Sequence, residues 1–139
     1  MKMRTFVISA ALALLVAGQV IAADQNMQQN LGTDRVSKLM KMDVKGNTGQ
    51  KLGTVSDAIL DQNGRVSYLI VDHGGMLGIG DRLVPVPASA FHKGYGNDLT
   101  LNVDKARLEK APNFASRDWP NFNDQSYDQK VNSYYGNTY

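Results

Sequence analysis

The stretch "DHGGMLGIGDRLVPVP", residues 72–87, is the most informative part of the sequence for the fold, because it joins a strongly apolar segment to one that prolines interrupt. Gly78 and Gly80 have the G-x-G spacing of a nucleotide-binding loop. The third glycine of such a loop is missing, and no helix is predicted to follow whose N-terminus could hold a phosphate. We therefore interpret the stretch as a wide connection between two strands and expect no nucleotide there.

The segments on either side of this connection have the patterns of strands. Residues 65–74, "RVSYLIVDHG", carry apolar side chains at consecutive positions, which is typical of a strand covered on both faces. Pro85 and Pro87 cannot donate hydrogen bonds to a neighbouring strand, so residues 82–87 are predicted to form an edge strand or a bulged strand. The "DQNG" turn at residues 61–64 predicts a hairpin that leads into the doubly covered strand.

Further segments complete a mainly β pattern. Residues 51–61 predict a strand in which Gly53 marks a bulge or a bend. Residues 99–104 alternate between apolar and polar side chains, and Asp104 is placed to cap a short helix over residues 105–111. Five or six short strands with close turns favour a small antiparallel β-barrel with a short C-terminal helix and disordered ends.

Residues 1–23 have the features of a secretory signal peptide. Lys2 and Arg4 precede an apolar run at residues 6–17, and the small residues at 22–23 fit cleavage by signal peptidase. The run is shorter than the about 20 residues that a membrane span needs. We therefore expect an exported protein, periplasmic or secreted after signal-peptide cleavage, with no stable membrane insertion.

The rest of the chain is expected to hold one domain, at residues 35–122. Residues 24–34 are polar and rich in glutamine and asparagine, which is typical of a flexible leader. Residues 123–139 are polar and rich in tyrosine and asparagine, and they are expected to form a disordered tail.

The composition argues against several classes of function. The chain has no cysteine, which excludes thiol catalysis, iron–sulfur clusters, cysteine-bound zinc and disulfides. Cleavage of the signal peptide would leave thirteen basic and thirteen acidic residues. This balance offers no excess positive charge for nucleic acid or anionic lipid, so neither is expected as a partner.

The order of several short motifs resembles the PRC-barrel domain family. The motifs are Gly53, the D-x-x-G hairpin at 61–64, GG-x-LGIG at 74–80, V-P-V-P at 84–87 and L-x-x-AP at 108–112. The resemblance covers roughly residues 37–120. It implies a small β-barrel with a habit of binding proteins, and it implies neither an enzyme nor a cofactor. Members in photosynthetic reaction centres and in ribosome-maturation factors carry further segments that this sequence does not show, so their specific roles are not carried over.

Five residues are candidates for a protein-contact surface: Met76, Leu77, Ile79, Arg82 and Trp119. Exposed apolar clusters often mark interaction sites, and a partly exposed tryptophan can anchor a partner. The alternative is structural, with Met76, Leu77 and Ile79 tucked into the end of the barrel and Trp119 covering it. The leading hypothesis is an exported, non-enzymatic module of the cell envelope that acts by protein–protein contact or self-association.

His73 and His92 carry the alternative hypothesis, a periplasmic small-molecule or metal-binding protein with both histidines near one barrel mouth. His73 follows Asp72, but adjacent residues of a strand point to opposite faces, so these two are not expected to pair. No catalytic, cofactor-binding or metal-binding residue is assigned, because no nucleophile or metal motif accompanies the histidines. Asp57, Asp61 and Asn63 resemble a fragment of a calcium loop, but a turn with solvated side chains explains them.

Overall fold

The computed structural model describes residues 35–74 and 82–136. In chain order, the elements are helix α1 (Val36–Leu39), strands β1 (Asp43–Lys45), β2 (Lys51–Leu60), β3 (Val66–Asp72) and β4 (Leu83–Pro87), a 3-10 helix (Ala88–Ala90), strands β5 (Phe91–Lys93) and β6 (Asp98–Leu101), and helices α2 (Lys105–Glu109) and α3 (Gln125–Tyr135). The prediction of a mainly β chain is confirmed. The predicted signal peptide and leader, residues 1–34, lie outside the described residues.

The strands form one sheet in the order β4-β3-β2-β1-β6-β5. Neighbouring strands are antiparallel except β1 and β6, which run parallel. That one pair departs from the antiparallel arrangement that the sequence pattern predicts. Parallel neighbours need a long connection between them, and here β2, β3, β4 and β5 all lie between β1 and β6 in the chain.

The sheet rolls up because its two outermost strands follow one another in the chain. β4 ends at Pro87 and β5 begins at Phe91, with only a three-residue 3-10 helix between them. Two sheet edges tethered so closely cannot lie far apart, so the sheet must curve around its core. The predicted small barrel is confirmed in this rolled form, with the proline-containing β4 at an edge of the sheet as predicted.

β3 is buried on both faces, as its apolar pattern predicts. Leu69 and Val71 belong to the main hydrophobic core, whereas Ile70 packs with Leu83 and Phe114 in a second cluster. Successive residues of a strand point to opposite faces, so this second cluster lies on the other side of the sheet from the main core. The segment that carries Phe114 therefore covers the outer face of β3, and each buried apolar side chain contributes about 2 kcal/mol to stability.

Gly53 allows β2 to approach β3 more closely than any side chain would permit. A Cβ atom added there would lie 2.3 Å from the carbonyl oxygen of Asp72, far inside van der Waals contact. The register of β1 against β2 also shifts beside this glycine, between Val44 and Lys45. The predicted irregularity at Gly53 is therefore confirmed.

The helices are short. Asp104 caps α2 as predicted, because its carboxylate accepts a hydrogen bond from the backbone N–H of Arg107 at 2.7 Å. α2 ends at Glu109, slightly before the predicted end at residue 111. No helix within residues 35–74 and 82–136 combines the length and apolar character needed to cross a membrane.

The prediction of a disordered tail over residues 123–139 is wrong where α3 forms. Asp124 caps this helix and accepts a hydrogen bond from the backbone N–H of Ser126 at 2.9 Å. Val131 and Tyr135 are fully buried in the main core. Burial of one face stabilises a helix that would be marginal in isolation, because a polar segment of this length lacks enough stability of its own.

The domain boundary predicted at residue 122 moves as a result. α3 packs against β4, so the folded domain continues to Gly136. Residues 137–139 lie outside the described part of the chain.

Candidate functional site

Five aromatic side chains, which we call the aromatic cluster, form a connected group on the outer face of β3: Tyr68, Phe114, Trp119, Phe122 and Tyr127. Phe122 lies at the centre. Its ring centroid is 5.6 Å from that of Tyr68, 6.1 Å from Phe114 and 5.7 Å from Tyr127. These tilted and edge-on contacts are the arrangements that aromatic pairs prefer, so they hold the rings of the aromatic cluster in a fixed arrangement.

Trp119 is the exposed member of the aromatic cluster. Its indole packs on Phe114 with a centroid distance of 4.9 Å, yet 45% of Trp119 remains exposed, against 9% of Phe114. One part of the indole therefore covers the cluster while the other faces solvent. This position fits both roles considered for Trp119, a structural cover and an anchor for a partner, and the anchor role stays a prediction.

Arg82 reaches the same region from the start of β4. The next residue, Leu83, exchanges two backbone hydrogen bonds with Phe114, at 3.0 and 2.9 Å. The exposed Arg82 side chain places Nη1 3.4 Å from the carbonyl oxygen of Glu109. The segment from Glu109 to Phe114 therefore contacts Arg82 at its start and Trp119 at its end. The remaining predicted contact residues lie outside the described residues: Met76, Leu77 and Ile79.

His73 is held between β2 and α2. Its Nδ1 lies 2.5 Å from the carbonyl oxygen of Leu52, and its Nε2 lies 3.7 Å from a carboxylate oxygen of Glu109. The carboxylate of Asp72 instead accepts the backbone N–H of Gly74 at 2.8 Å, so neighbouring Asp72 and His73 serve different partners. With its side chain only 10% exposed, His73 has the position of a structural histidine.

His92 lies on a different element. It is exposed on β5, and its carbonyl oxygen accepts a hydrogen bond from the Thr100 hydroxyl on β6 at 3.3 Å. None of the contacts that hold His73 involves His92. Over residues 35–74 and 82–136, no group of three or more histidine, aspartate or glutamate side chains is placed to hold a metal ion. No specific observation therefore favours a ligand site shared by the two histidines.

The aspartates that resemble a calcium loop are used by the local backbone. The Asp61 carboxylate accepts hydrogen bonds from the backbone N–H groups of Asn63 and Arg65, at 2.8 and 2.9 Å. Gly64 takes the positive φ of +76° that the turn requires. Asp57 accepts the backbone N–H of the next residue at 2.8 Å. These bonds explain the aspartates as turn and strand residues.

A polar clasp, formed by Tyr68, Asp128 and Asn132, fastens α3 to β3. The Tyr68 hydroxyl donates to the Asp128 carboxylate and accepts from the Asn132 amide at 2.9 Å. Burial, followed by the hydrogen bond to Asp128, raises the pKa of Tyr68 well above its ordinary value. Burial also raises the pKa of Tyr127 on the same helix. The clasp thus holds a protonated tyrosine against a carboxylate.

A surface groove of about 610 Å³ lies between the end of α2 and α3, and we call it the α2–α3 groove. One side is formed by the segment that follows α2 and the other by α3. The lining residues are Lys110, Ala111, Pro112, Asn113, Lys130, Ser133 and Tyr134.

Helix α3, and with it the polar clasp and the groove, was not predicted, although the sequence contains a signal for it. Tyr127, Val131 and Tyr134 have the i, i+4, i+7 spacing of one helical face, and Asp124 is a good N-cap residue. The approach of Glu109 to His73 has no comparable signal, because it depends on how α2 lies against the sheet.

A comparison with models of protein families gives a match. The family model of the PRC-barrel domain matches residues 32–108, more than half of the chain. A comparison with curated proteins found no match. Among solved structures, that of a candidate 16S ribosomal RNA processing protein, RimM, from Pseudomonas aeruginosa is similar at 16% sequence identity, with a TM-score of 0.38. That similarity covers 57% of this chain and 49% of the other, so the chain spans about half the length of that structure.

The matched residues 32–108 contain all six strands and most of α2. The match ends before Phe114, so Trp119 and α3 lie beyond it. Because the family match covers more than half of the sequence, the chain belongs to the PRC-barrel domain family.

Proposed function

We propose that this chain is an exported, non-enzymatic PRC-barrel module that acts in the cell envelope by protein–protein contact or self-association. The observation that carries the proposal is the exposure of Trp119, which is 45% exposed although it packs on the aromatic cluster. Tryptophan is among the residues that most often dominate binding energy at protein interfaces. Trp119, an exposed tryptophan that packs on the aromatic cluster, is therefore the best-supported contact point.

The surroundings of Trp119 favour binding at low entropic cost. Contact with Phe114 and Phe122 already restricts the indole, so a partner need not immobilise a freely rotating side chain. Two exposed arginines lie on nearby parts of the chain. Arg117, whose Nε is 3.5 Å from the Asp118 carboxylate, is two residues before Trp119, and Arg82 precedes the residue that pairs with Phe114. Arginine is enriched at interfaces, and its long side chain can close over a partner that covers the indole.

The non-enzymatic part of the proposal rests on how the candidate catalytic groups are used. His73 is engaged with the Leu52 carbonyl and faces Glu109, and His92 lies on another strand. A general base needs its imidazole within reach of a group to activate. The His73 imidazole contacts the Leu52 carbonyl oxygen, and the Thr100 hydroxyl donates to the backbone carbonyl of His92 and not to its ring, so no described hydrogen bond joins either imidazole to a nucleophile. These placements support structural roles for both residues.

The export part of the proposal rests on residues 1–23, with their basic start, apolar run and small residues before Asp24. Its test is the intact mass of the protein recovered from the producing cells. We expect a mass that corresponds to cleavage after Ala22 or Ala23, and recovery from the periplasmic or external fraction. An uncleaved chain that remains with the cell interior would contradict export and leave the contact proposal standing.

The contact proposal is tested by site-specific photo-crosslinking in living cells. A photoreactive phenylalanine analogue, which keeps an aromatic ring at the position, replaces Trp119 in one strain and Tyr95 in another. Tyr95 is fully exposed and lies in the turn between β5 and β6, so it is a matched control for exposure alone. We expect discrete crosslinked species from position 119 and none of the same kind from position 95.

Mass spectrometry of the crosslinked species distinguishes the two forms of the proposal. A species containing only this chain, with a dimer in sedimentation equilibrium, supports self-association. A species containing a second protein supports a heterologous partner. No discrete species from position 119, together with a strictly monomeric protein, would reject the proposed function.

A further inference from the structure

The α2–α3 groove carries positive charge that the described residues do not neutralise. Lys110 and Lys130 lie on its two sides, both are exposed, and neither forms an ion pair with another residue of the described segments. The acidic residues nearest in sequence are used elsewhere. Glu109 faces His73 and Lys105, at 3.7 and 3.9 Å, and Asp128 accepts the hydrogen bond of the polar clasp.

One wall of the groove is fixed by reciprocal contacts between α2 and α3. Nη2 of Arg107 donates to the carbonyl oxygen of Tyr134 at 2.8 Å, and the Tyr134 hydroxyl donates to the carbonyl oxygen of Arg107 at 2.5 Å. The guanidinium also lies 5.5 Å from the centre of the Tyr134 ring. Arg107 therefore adds a third positive charge beside the groove and holds a lining residue in place, which lowers the ordering cost of binding.

The groove also offers contacts that suit a polypeptide segment. Pro112 and the ring of Tyr134 provide half-buried apolar surface, whereas Asn113 and Ser133 are exposed and polar. The Asn113 amide N–H donates to the carbonyl oxygen of Ala111 at 2.9 Å, which orients its side-chain oxygen. An amide oxygen and a hydroxyl can pair with the main-chain groups of a bound segment.

One residue that lines the groove is a direct neighbour in sequence of a residue that Trp119 contacts. Asn113, which lines the groove, directly precedes Phe114, on which Trp119 packs. A segment that occupies the groove could therefore extend onto the exposed indole. Charge complementarity then selects acidic residues for the part of the segment that contacts Lys110 and Lys130.

We propose that the α2–α3 groove binds an acidic segment of a partner protein, with aspartate or glutamate carboxylates at Lys110 and Lys130 and an adjoining apolar residue at Trp119. The inference rests on the proposed function, because it specifies which chemistry the partner brings to the contact surface. It adds a second contact, formed by α2 and α3, to the one that Trp119 provides.

The test is a titration of the full purified protein into a fluorescein-labelled acidic peptide, EDEALF, followed by fluorescence anisotropy. The control peptide QNQALF keeps the shape and removes the three negative charges. We expect saturable binding of EDEALF that weakens as salt rises from about 50 to about 300 mM, and at least tenfold weaker binding of QNQALF.

Charge-reversal variants locate the site. K110E and K130E are each expected to weaken binding of EDEALF severalfold, and K110E/K130E at least tenfold. K41E is the matched control, because Lys41 is an exposed lysine outside the groove, and it is expected to bind as the wild type does. Circular dichroism and urea midpoints confirm folding of each variant, and K110Q/K130Q replaces the double reversal if that variant does not fold.

Three results would overturn the inference. The first is equal binding of the two peptides by the wild type. The second is equal binding of EDEALF by the wild type and K110E/K130E, and the third is a loss of EDEALF binding in K41E as large as that in K110E/K130E. Succinate and inorganic phosphate are added as competitors. If either anion displaces labelled EDEALF at the same concentration as unlabelled EDEALF does, the groove binds small anions, and the peptide assignment is overturned.

Crosslinking from position 119 in the K110E/K130E background separates this inference from the proposed function. Loss of the crosslinked species supports the groove as part of the same contact. Unchanged crosslinking rejects the groove while the proposed function stands. If crosslinking fails even with the lysines intact and the protein is strictly monomeric, the proposed function is rejected, and the peptide titration still reports on the groove itself.

Discussion

The hydroxyl of Tyr68 on β3 donates a hydrogen bond to the carboxylate of Asp128, sixty residues later on α3. Asn132, one turn further along the helix, donates to the same hydroxyl at 2.9 Å. Tyr68 is 4% exposed, so this hydroxyl needs partners inside the protein. The pair therefore ties the helix outside the family match to a strand inside it that is covered on both faces.

Replacement of Tyr68 by phenylalanine tests this tie. The ring still packs against Phe122, but the Asp128 carboxylate loses a donor and the Asn132 amide loses an acceptor. We expect Y68F to lower the free energy of unfolding by about 2 kcal/mol, the usual range for a hydrogen bond to a charged group. Urea unfolding followed by circular dichroism measures the change.

Tyr95 provides the matched control for Y68F, because it is fully exposed. The same removal of a hydroxyl there, Y95F, is expected to change the free energy of unfolding by less than about 0.5 kcal/mol. Equal effects of Y68F and Y95F would show that the polar clasp does not stabilise the fold.

The pKa of Tyr68 predicts a loss of stability at alkaline pH. Burial, and next the Asp128 hydrogen bond, raise this pKa in the folded state. The folded protein thus holds the proton more tightly than the unfolded chain does. The resulting stabilisation is fully present below the ordinary tyrosine pKa of about 10 and is lost as the pH rises above it. Tyr127, whose pKa burial also raises, contributes in the same direction.

We therefore expect the urea midpoint of the wild type to fall between about pH 9 and about pH 11, and that of Y68F to fall less. Both proteins share the titration of lysines and of Tyr127, so the difference between them isolates Tyr68. An equal fall in the two proteins would mean that Tyr68 has the same pKa in the folded and unfolded states.

Much of the barrel could be predicted from local patterns, because each pattern reports a local physical requirement. The "DQNG" turn needs a glycine at positive φ, and Gly64 supplies it. Pro85 and Pro87 lack N–H groups, and their strand lies at the edge of the sheet. Consecutive apolar residues from Leu69 to Val71 need cover on both faces, and they have it.

The features that local patterns did not predict depend on contacts between distant segments. The parallel pairing of β1 and β6 follows from how the sheet rolls, which no single segment encodes. Helix α3 is mostly polar, and its formation depends on burying Val131 and Tyr135 against residues far away in the chain. The polar residues of this segment therefore favour a prediction of disorder, whereas its helical structure depends on two buried side chains and on the polar clasp.

Replacement of Val131 by alanine tests the packing of α3. Val131 is fully buried, so V131A leaves a cavity where two methyl groups contacted the core. Alanine favours helices, so the cost comes from packing and not from helix propensity. We expect the free energy of unfolding to fall by about 2 kcal/mol, measured by urea denaturation.

Gln129 lies on the exposed side of the same helix, so Q129A is the matched control, with an expected change of less than about 0.5 kcal/mol. A chain that ends at Asn123 removes the helix altogether and is expected to lose more stability than V131A does. If V131A is as stable as Q129A and the shortened chain unfolds at the same urea concentration as the wild type, α3 is not part of the folded unit in solution.

Gly53 offers the sharpest test of the packing of β2 against β3. A methyl group at this position would lie 2.3 Å from the Asp72 carbonyl oxygen and 2.9 Å from a methyl carbon of Val71. The nearest obstructing atom belongs to the backbone of β3, so G53A can be accommodated only if β2 and β3 separate. We expect a loss of about 3 kcal/mol in the free energy of unfolding, the upper part of the range for overpacked sites.

The control for G53A is G49A, which separates steric cost from conformational cost. Gly49 has a positive φ of +81°, but a Cβ atom there would meet nothing within 4 Å. G49A therefore reports only the strain of a left-handed backbone, about 1 kcal/mol. A clearly larger loss for G53A must come from the contact between the strands. Equal losses would mean that β2 and β3 can move apart freely at this point, and that the close approach at Gly53 does not hold the barrel together.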